Sequence, residues 1–197
     1  TMNLLLSTGA LAGIIVGVVI VVLLLAIAIW WISTHNKLVR MKNQYEEAFH
    51  NIDIYLKKRY DLIPNLVETV KGYAKHESGT LTAVIEARAK AQSATTTEEK
   101  IEANAQLTQQ LKNFNLLVER YPELKANSNF LELQATLKNI ELELAQSRKY
   151  YNATIKQFNS AIQVFPSSIV ARKMRCEKQP YFELDSIEER QNVKVSF

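Results

Sequence analysis

The sequence predicts an all-α protein in which a single N-terminal transmembrane helix continues into an antiparallel bundle of long helices and ends in a short extended tail. Three observations carry this prediction. The run from Ala10 to Ile32 holds no charged residue. Beyond it, apolar residues recur in steps of three and four, which is the spacing of one helix face. Glycine and proline are scarce, five and four in 197 residues, and three of the glycines lie at or in the apolar run, so little divides the remainder into short pieces. The expected organisation is an anchor over 1–36, a bundle over 37–165, and a short helix with a tail over 166–197.

At a rise of about 1.5 Å per residue, about 20 apolar residues cross a hydrocarbon core, so Ala10 to Ile32 is long enough. Trp30 and Trp31 close the run, as indoles do at the level of lipid headgroups, and Lys37 and Arg40 follow as headgroup contacts. No basic residue precedes the run, so it reads as a retained anchor and not as a cleaved leader. The same bias places the N-terminus outside and the C-terminal domain in the cytoplasm, making the chain a single-pass protein of the plasma membrane. Gly9, Gly13 and Gly17 fall four apart on one stripe, where small residues let a second helix backbone approach closely in lipid.

From Lys37 the helical pattern resumes at once through Leu38, Met41, Tyr45, Ala48, Ile52 and Tyr55, with no breaker between it and the span. Pro64 interrupts next. A proline inside a helix removes a hydrogen bond and clashes with the preceding turn, whereas at a first turn it is harmless, so a corner is expected there with a new helix starting near Pro64. That helix continues through Leu66, Val70, Leu81, Val84 and Arg88, with Gly72 at a close crossing and Gly79 at a kink. Thr95, Thr96 and Thr97 ahead of Glu98 and Glu99 supply capping-box candidates for a third helix, which stops before Tyr121-Pro122. Asn127-Ser128-Asn129 is the expected cap of the longest helix, with Asn129 and Glu132 at capping-box spacing, and that helix ends at Phe165-Pro166. A basic segment, Ser167 to Lys178, reads as a short helix. The tail that follows offers Tyr181, Phe182, Val193, Val195 and Phe197 to a neighbouring subunit, the last three in an alternating pattern suited to docking.

The net charge of +4 is modest and no basic arm with interleaved aromatics is present, which argues against a nucleic-acid partner. Cys176 is the single cysteine, so neither an intrachain disulfide nor a cysteine metal site is expected. The three histidines, His35, His50 and His76, have no metal-ligand spacing. No phosphate-cradling glycine loop, hydrolase elbow or zinc-protease motif occurs. Arg59, Asp61, Pro64, Lys71 and His76 gather around the expected corner. Asp61 and His76 could be drawn as an acid–base pair, but Arg59 paired to Asp61 across broken helix ends, or a contact between subunits, accounts for the cluster without catalysis. The composition therefore points to a non-enzymatic scaffold without catalytic residues, cofactor or metal, its partners being the lipid bilayer and copies of itself in a closed ring or dome.

The stretch Leu56-Lys57-Lys58-Arg59-Tyr60-Asp61-Leu62-Ile63-Pro64-Asn65-Leu66-Val67-Glu68-Thr69-Val70-Lys71-Gly72-Tyr73 closely resembles the signature of the LemA family. The resemblance returns in Tyr121-Pro122-Glu123-Leu124-Lys125, in Tyr150-Tyr151-Asn152, in Tyr181-Phe182-Glu183 and in the final Lys194-Val195-Ser196-Phe197. Where that family tends to carry Gly-Phe after the last bundle helix, this chain has Arg175-Cys176. The resemblance implies a bacterial inner-membrane protein with one N-terminal span, a helical bundle and no established reaction. It also implies a second reading, an adaptor or regulator of a membrane protease of the HtpX type.

Overall fold

The computed structural model describes residues 8–183, with side chains from residue 11 onward. Every regular element among the described residues is a helix: α1 (Thr8–Lys71), α2 (Ser78–Ser93), α3 (Thr97–Glu119), α4 (Pro122–Lys125), α5 (Ser128–Gln163) and α6 (Ser167–Lys173). They sort into two compact units, one of Thr1–Asn43 with Gln157–Lys178, the other of Gln44–Lys156 with Gln179–Phe197. Helices α1 and α5 contribute to both.

In the first unit, every side chain of α1 from Leu11 to Ile29 is exposed. A helix that is apolar all round and covered by nothing of its own chain has the character of a membrane span, and α1 is long and apolar enough there to cross a bilayer. After this stretch a small core forms. Leu38, Val170 and Ala171 are buried together, and Trp30, Trp31, Ala161, Ile162, Met174 and Cys176 pack against them. Three segments thus meet: the end of the apolar run, the last turns of α5, and α6.

A tight hairpin brings α6 back onto α5. The Ser167 hydroxyl lies 2.6 Å from the Ala161 carbonyl and 3.0 Å from that of Val164, and the Phe165–Pro166 bond is cis. At its other end, α6 stops at Lys173, five residues short of the expected Lys178. There the Cys176 amide donates to the Ala171 carbonyl at 3.0 Å and the Arg175 amide to that of Arg172 at 3.1 Å, while Arg175 holds φ at 53°. Two such bonds around a left-handed residue form a Schellman ending, which glycine normally occupies.

The second unit is the helical bundle. Pairings between α1 and α5 descend in one as they ascend in the other, from Gln44 with Tyr150 through Tyr55 with Glu143 to Arg59 with Glu141, so the two run antiparallel, and just beyond their ends Asn127 donates to the Tyr73 hydroxyl. Helix α3 runs alongside α1 in the same direction, since Asp53 meets Lys100 and Arg59 meets Thr108. The core is filled by Leu56, Ile63, Leu66, Val84, Leu107, Phe114, Phe130, Leu144 and Ile155, each at most 2% exposed.

The expected cap holds at α3, and at α5 it falls within the expected Asn127-Ser128-Asn129 segment but on its first residue. Thr96 and Glu99 form the reciprocal box at the start of α3. Before α5 the cap is Asn127, whose Oδ1 accepts from the Phe130 amide at 2.9 Å, and not Asn129. Between α3 and α5, Pro122 opens the single turn α4.

The corner expected at Pro64 is absent: α1 runs through that proline to Lys71. Its turn falls at residues 72–77, where the amides of Tyr73 and Ala74 both close on the Val70 carbonyl at 3.0 and 2.8 Å. Gly72 therefore ends the helix instead of permitting a crossing, and Gly79 lies in the first turn of α2, with no kink. The reason α1 survives Pro64 is a side chain from another helix. With no N–H on residue 64, the carbonyl of Tyr60 loses its partner one turn back. Arg88 of α2 supplies one instead, donating Nε to that carbonyl at 2.6 Å.

Candidate functional site

The densest polar constellation lies inside the second unit, around Arg59 and Tyr60 of α1. Both fall on the inward face of an amphipathic helix, between buried Leu56 and Ile63, so the fold carries a guanidinium and a phenol into its core. Arg59 is 1% exposed. Its Nη2 donates to Thr108 Oγ1 of α3 at 2.9 Å, and its Nε lies 2.8 Å from Glu141 Oε1 of α5. That second contact is ionic rather than a well-aligned hydrogen bond, because the N–H does not point along it. Burial pulls the Arg59 pKa below the ordinary arginine value, the Glu141 carboxylate opposes the shift, and nearby Arg148 adds to it.

Tyr60 extends the network toward α2 and α3. Asn104, fully buried, donates Nδ2 to the tyrosine oxygen at 2.7 Å and to the Lys100 carbonyl at 2.8 Å, and its Oδ1 accepts from the hydroxyl at 2.9 Å. Burial raises the Tyr60 pKa, with the Asn104 hydrogen bond working against it. Lys100 reaches both oxygens of Asp53 at 3.0 and 2.9 Å and lies over the Phe49 ring at 5.3 Å. One cluster thus ties α1 to α2, α3 and α5. A buried polar group is tolerated only where partners meet it, so this arrangement fixes helix register. It presents an always-charged cation, amides and a neutral phenol.

The residues singled out from sequence take different places. Arg59 does not pair with Asp61; its partners are Glu141 and Thr108. Asp61 is exposed in a groove beside Tyr55 and Glu143, and Pro64 lies within α1. Lys71, the last residue of α1, makes an exposed 3.7 Å pair with Glu68, and His76 is exposed in the turn. Ten residues of helix, about 15 Å, separate Asp61 from the end of α1, so α1 does not bring Asp61 up to the turn that holds His76. In the first unit, Trp30 and Trp31 stand edge to face at 6.4 Å, and Lys37 and Arg40 are exposed. A Cβ added at Gly13 or Gly17 would meet nothing within 4 Å. Gly9 lies in α1, but its surroundings fall outside the described side chains, as do Val193, Val195 and Phe197 outside the described residues.

Phe182 was expected to dock on a neighbouring subunit and instead docks on its own chain. Asn152 clamps its backbone, accepting from the Phe182 amide at 2.8 Å and donating to its carbonyl at 3.1 Å. The ring is 1% exposed and lies 6.1 Å from that of Phe49, while Tyr151 donates to the Pro180 carbonyl at 3.2 Å. Tyr181, next to it, remains exposed.

Sequence reasoning missed Arg88, Asn104, Thr108, Glu141 and Asn152 as members of these networks. Arg88 did leave a signal: an arginine in phase with the apolar stripe of Leu81 and Val84 needs an acceptor inside. Asn104, one turn before Thr108 and beside the Leu107 stripe, left a similar one.

The family model described as the LemA family matches residues 48–197. The chain belongs to the LemA family. Its LemA portion begins inside α1 and takes in the whole Arg59–Tyr60 network, the turn at residues 72–77 and the Phe182 clamp. Protein LemA of Metamycoplasma hominis is 25% identical over 159 residues, a match that spans 80% of this chain and 73% of that protein. LemA membership brings no known enzymatic reaction with it.

Proposed function

We propose that this LemA protein is a non-enzymatic scaffold, anchored in the plasma membrane by the first part of α1, that assembles with its own copies into a ring or dome on the cytoplasmic face. The observation that carries the reading is the apolar run of α1, exposed on every side and passing into the helical unit with no break in the helix. Such a surface needs lipid or other helices around it. The glycine stripe at Gly13 and Gly17 leaves room for a second helix at that level. On the bundle, Leu131 and Leu142 are 48% and 57% exposed, and their spacing puts them within about 20° of one another on α5. They are the apolar groups a neighbouring copy would cover. The positive residues after the span favour a cytoplasmic bundle.

The test is the copy number of the full chain extracted into native lipid discs. A closed homo-oligomer is expected, and Leu131→Asp combined with Leu142→Asp should lower the copy number while the helical circular dichroism stays unchanged. A single copy per disc would overturn the reading. Stoichiometric recovery of a membrane protease with one copy of the chain would replace it by the adaptor role.

A further inference from the structure

The hairpin between α5 and α6 carries the most exposed large apolar side chain among the described residues. Phe165 is 81% exposed, more than any large apolar residue of the span, where Ile29 reaches 68%. Val164 and Ile169 flank it at 55% and 49%. This tip belongs to the same unit as the end of the span. Ile162, one turn before Phe165, packs in one cluster with Trp30 and Trp31, and Val170, next to Ile169, forms the centre of that cluster.

Charge separates this unit from the other. The residues of Thr1–Asn43 and Gln157–Lys178 include seven Lys and Arg, namely Lys37, Arg40, Lys42, Arg172, Lys173, Arg175 and Lys178, against one acidic residue, Glu177. The whole chain nets only +4, so the remainder is net acidic. All seven basic side chains are exposed. Aromatic and branched apolar side chains at a tip, in a unit whose exposed charges are almost all lysine and arginine, are the composition of a segment that lies in the headgroup region of a bilayer. The basic excess selects for anionic lipid, since each such charge near the surface adds to the attraction.

We propose that the α5–α6 hairpin is a second membrane contact, inserting Val164, Phe165 and Ile169 into the interface of an anionic bilayer while Arg172, Lys173 and Arg175 engage lipid phosphates. The inference rests on the membrane-anchor reading of α1, because the tryptophan pair sets the level at which the hairpin meets lipid. It gives the chain two points of attachment on one leaflet. A span alone is free to rotate about its axis, whereas a span with a lateral wedge presents a defined face to its surroundings.

The test uses the full chain with Cys176→Ser, carrying a thiol-linked fluorophore at one of three positions, in vesicles of mixed zwitterionic and anionic phospholipid. Val22→Cys reports the span, Ile169→Cys the hairpin with Phe165 intact, and Gln92→Cys, exposed and polar on α2, the bundle surface. Spin-labelled lipid and aqueous iodide serve as the two quenchers. At position 169, lipid quenching should approach that at 22, iodide quenching should be several-fold weaker than at 92, and Phe165→Ser should reverse the order. Iodide quenching at 169 equal to that at 92, with 22 still quenched by lipid, would overturn the hairpin contact and leave the anchor standing. Shielding of 169 from both quenchers would give the tip to a second protein copy and overturn the proposal. Iodide access at 22 would remove the anchor and the hairpin contact together.

Discussion

Arg59 and Glu141 form an unequal pair, and the inequality predicts how each responds to removal. The guanidinium is enclosed, whereas the Glu141 side chain keeps 34% of its exposure. Glu141→Ala would strand a buried cation beside Arg148, a loss of about 2–3 kcal/mol, below the full range for an entirely buried pair because water reaches this site. Arg59→Met would leave a carboxylate that water can solvate and an apolar chain that still packs, so about 1–2 kcal/mol is expected. Urea unfolding of the full chain in detergent should rank Glu141→Ala as the more damaging. Arg175 gives the opposite sign. A non-glycine residue in the left-handed region costs about 1–2 kcal/mol, so Arg175→Gly should stabilise the chain by about 1 kcal/mol, visible as a higher melting temperature. The sequence showed the residue but not its φ, because nothing local distinguishes an arginine that continues a helix from one that ends it.

At the scale of elements, most of the architecture was readable and the chief failure was Pro64. Periodicity located the apolar faces of α1, α3 and α5, since burial on one side of a helix imprints a three-four spacing directly. Proline's penalty was also read correctly, as roughly 3 kcal/mol or more in a helix interior. What no local rule contains is a donor from another helix. The Arg88 bond to the Tyr60 carbonyl offsets part of that penalty, hydrogen bonds from charged groups being worth about 1.5–3 kcal/mol. Hence Arg88→Met should destabilise the chain by about that amount. Pro64→Ala, which returns an amide to residue 64, should make the Arg88 bond largely redundant. A double-mutant cycle of the two is expected to be strongly non-additive, and additivity would show that Arg88 acts elsewhere.

For the whole molecule, the division into two units was not legible, because α1 and α5 cross it without any change of period. Only the charges marked it, with basic residues gathered at Lys37, Arg40, Lys42 and the α6 end. Alkaline pH offers a global check on the buried phenols. Burial pushes the Tyr151 pKa up to about 12 and also raises that of Tyr60. The folded state thus holds these protons more tightly than the unfolded chain does. Their contribution to stability is fully present below pH 10, the ordinary tyrosine value, and for Tyr151 is lost as the pH rises toward 12. Stability should therefore fall across that window, and Tyr151→Phe should flatten the fall while forfeiting about 1 kcal/mol at neutral pH for the lost bond to the Pro180 carbonyl.

The loan of a donor by Arg88 has a further effect on how the chain is made. Synthesis runs from the N-terminus, so Tyr60 leaves the ribosome ahead of Arg88, which lies 28 residues further along the chain and must fold back to reach it. During that interval the backbone at Tyr60 is answered by water alone, and the helix there is provisional. Its completion waits until the polypeptide has turned back on itself, which makes the proline a checkpoint passed only by molecules whose second helix has already come home.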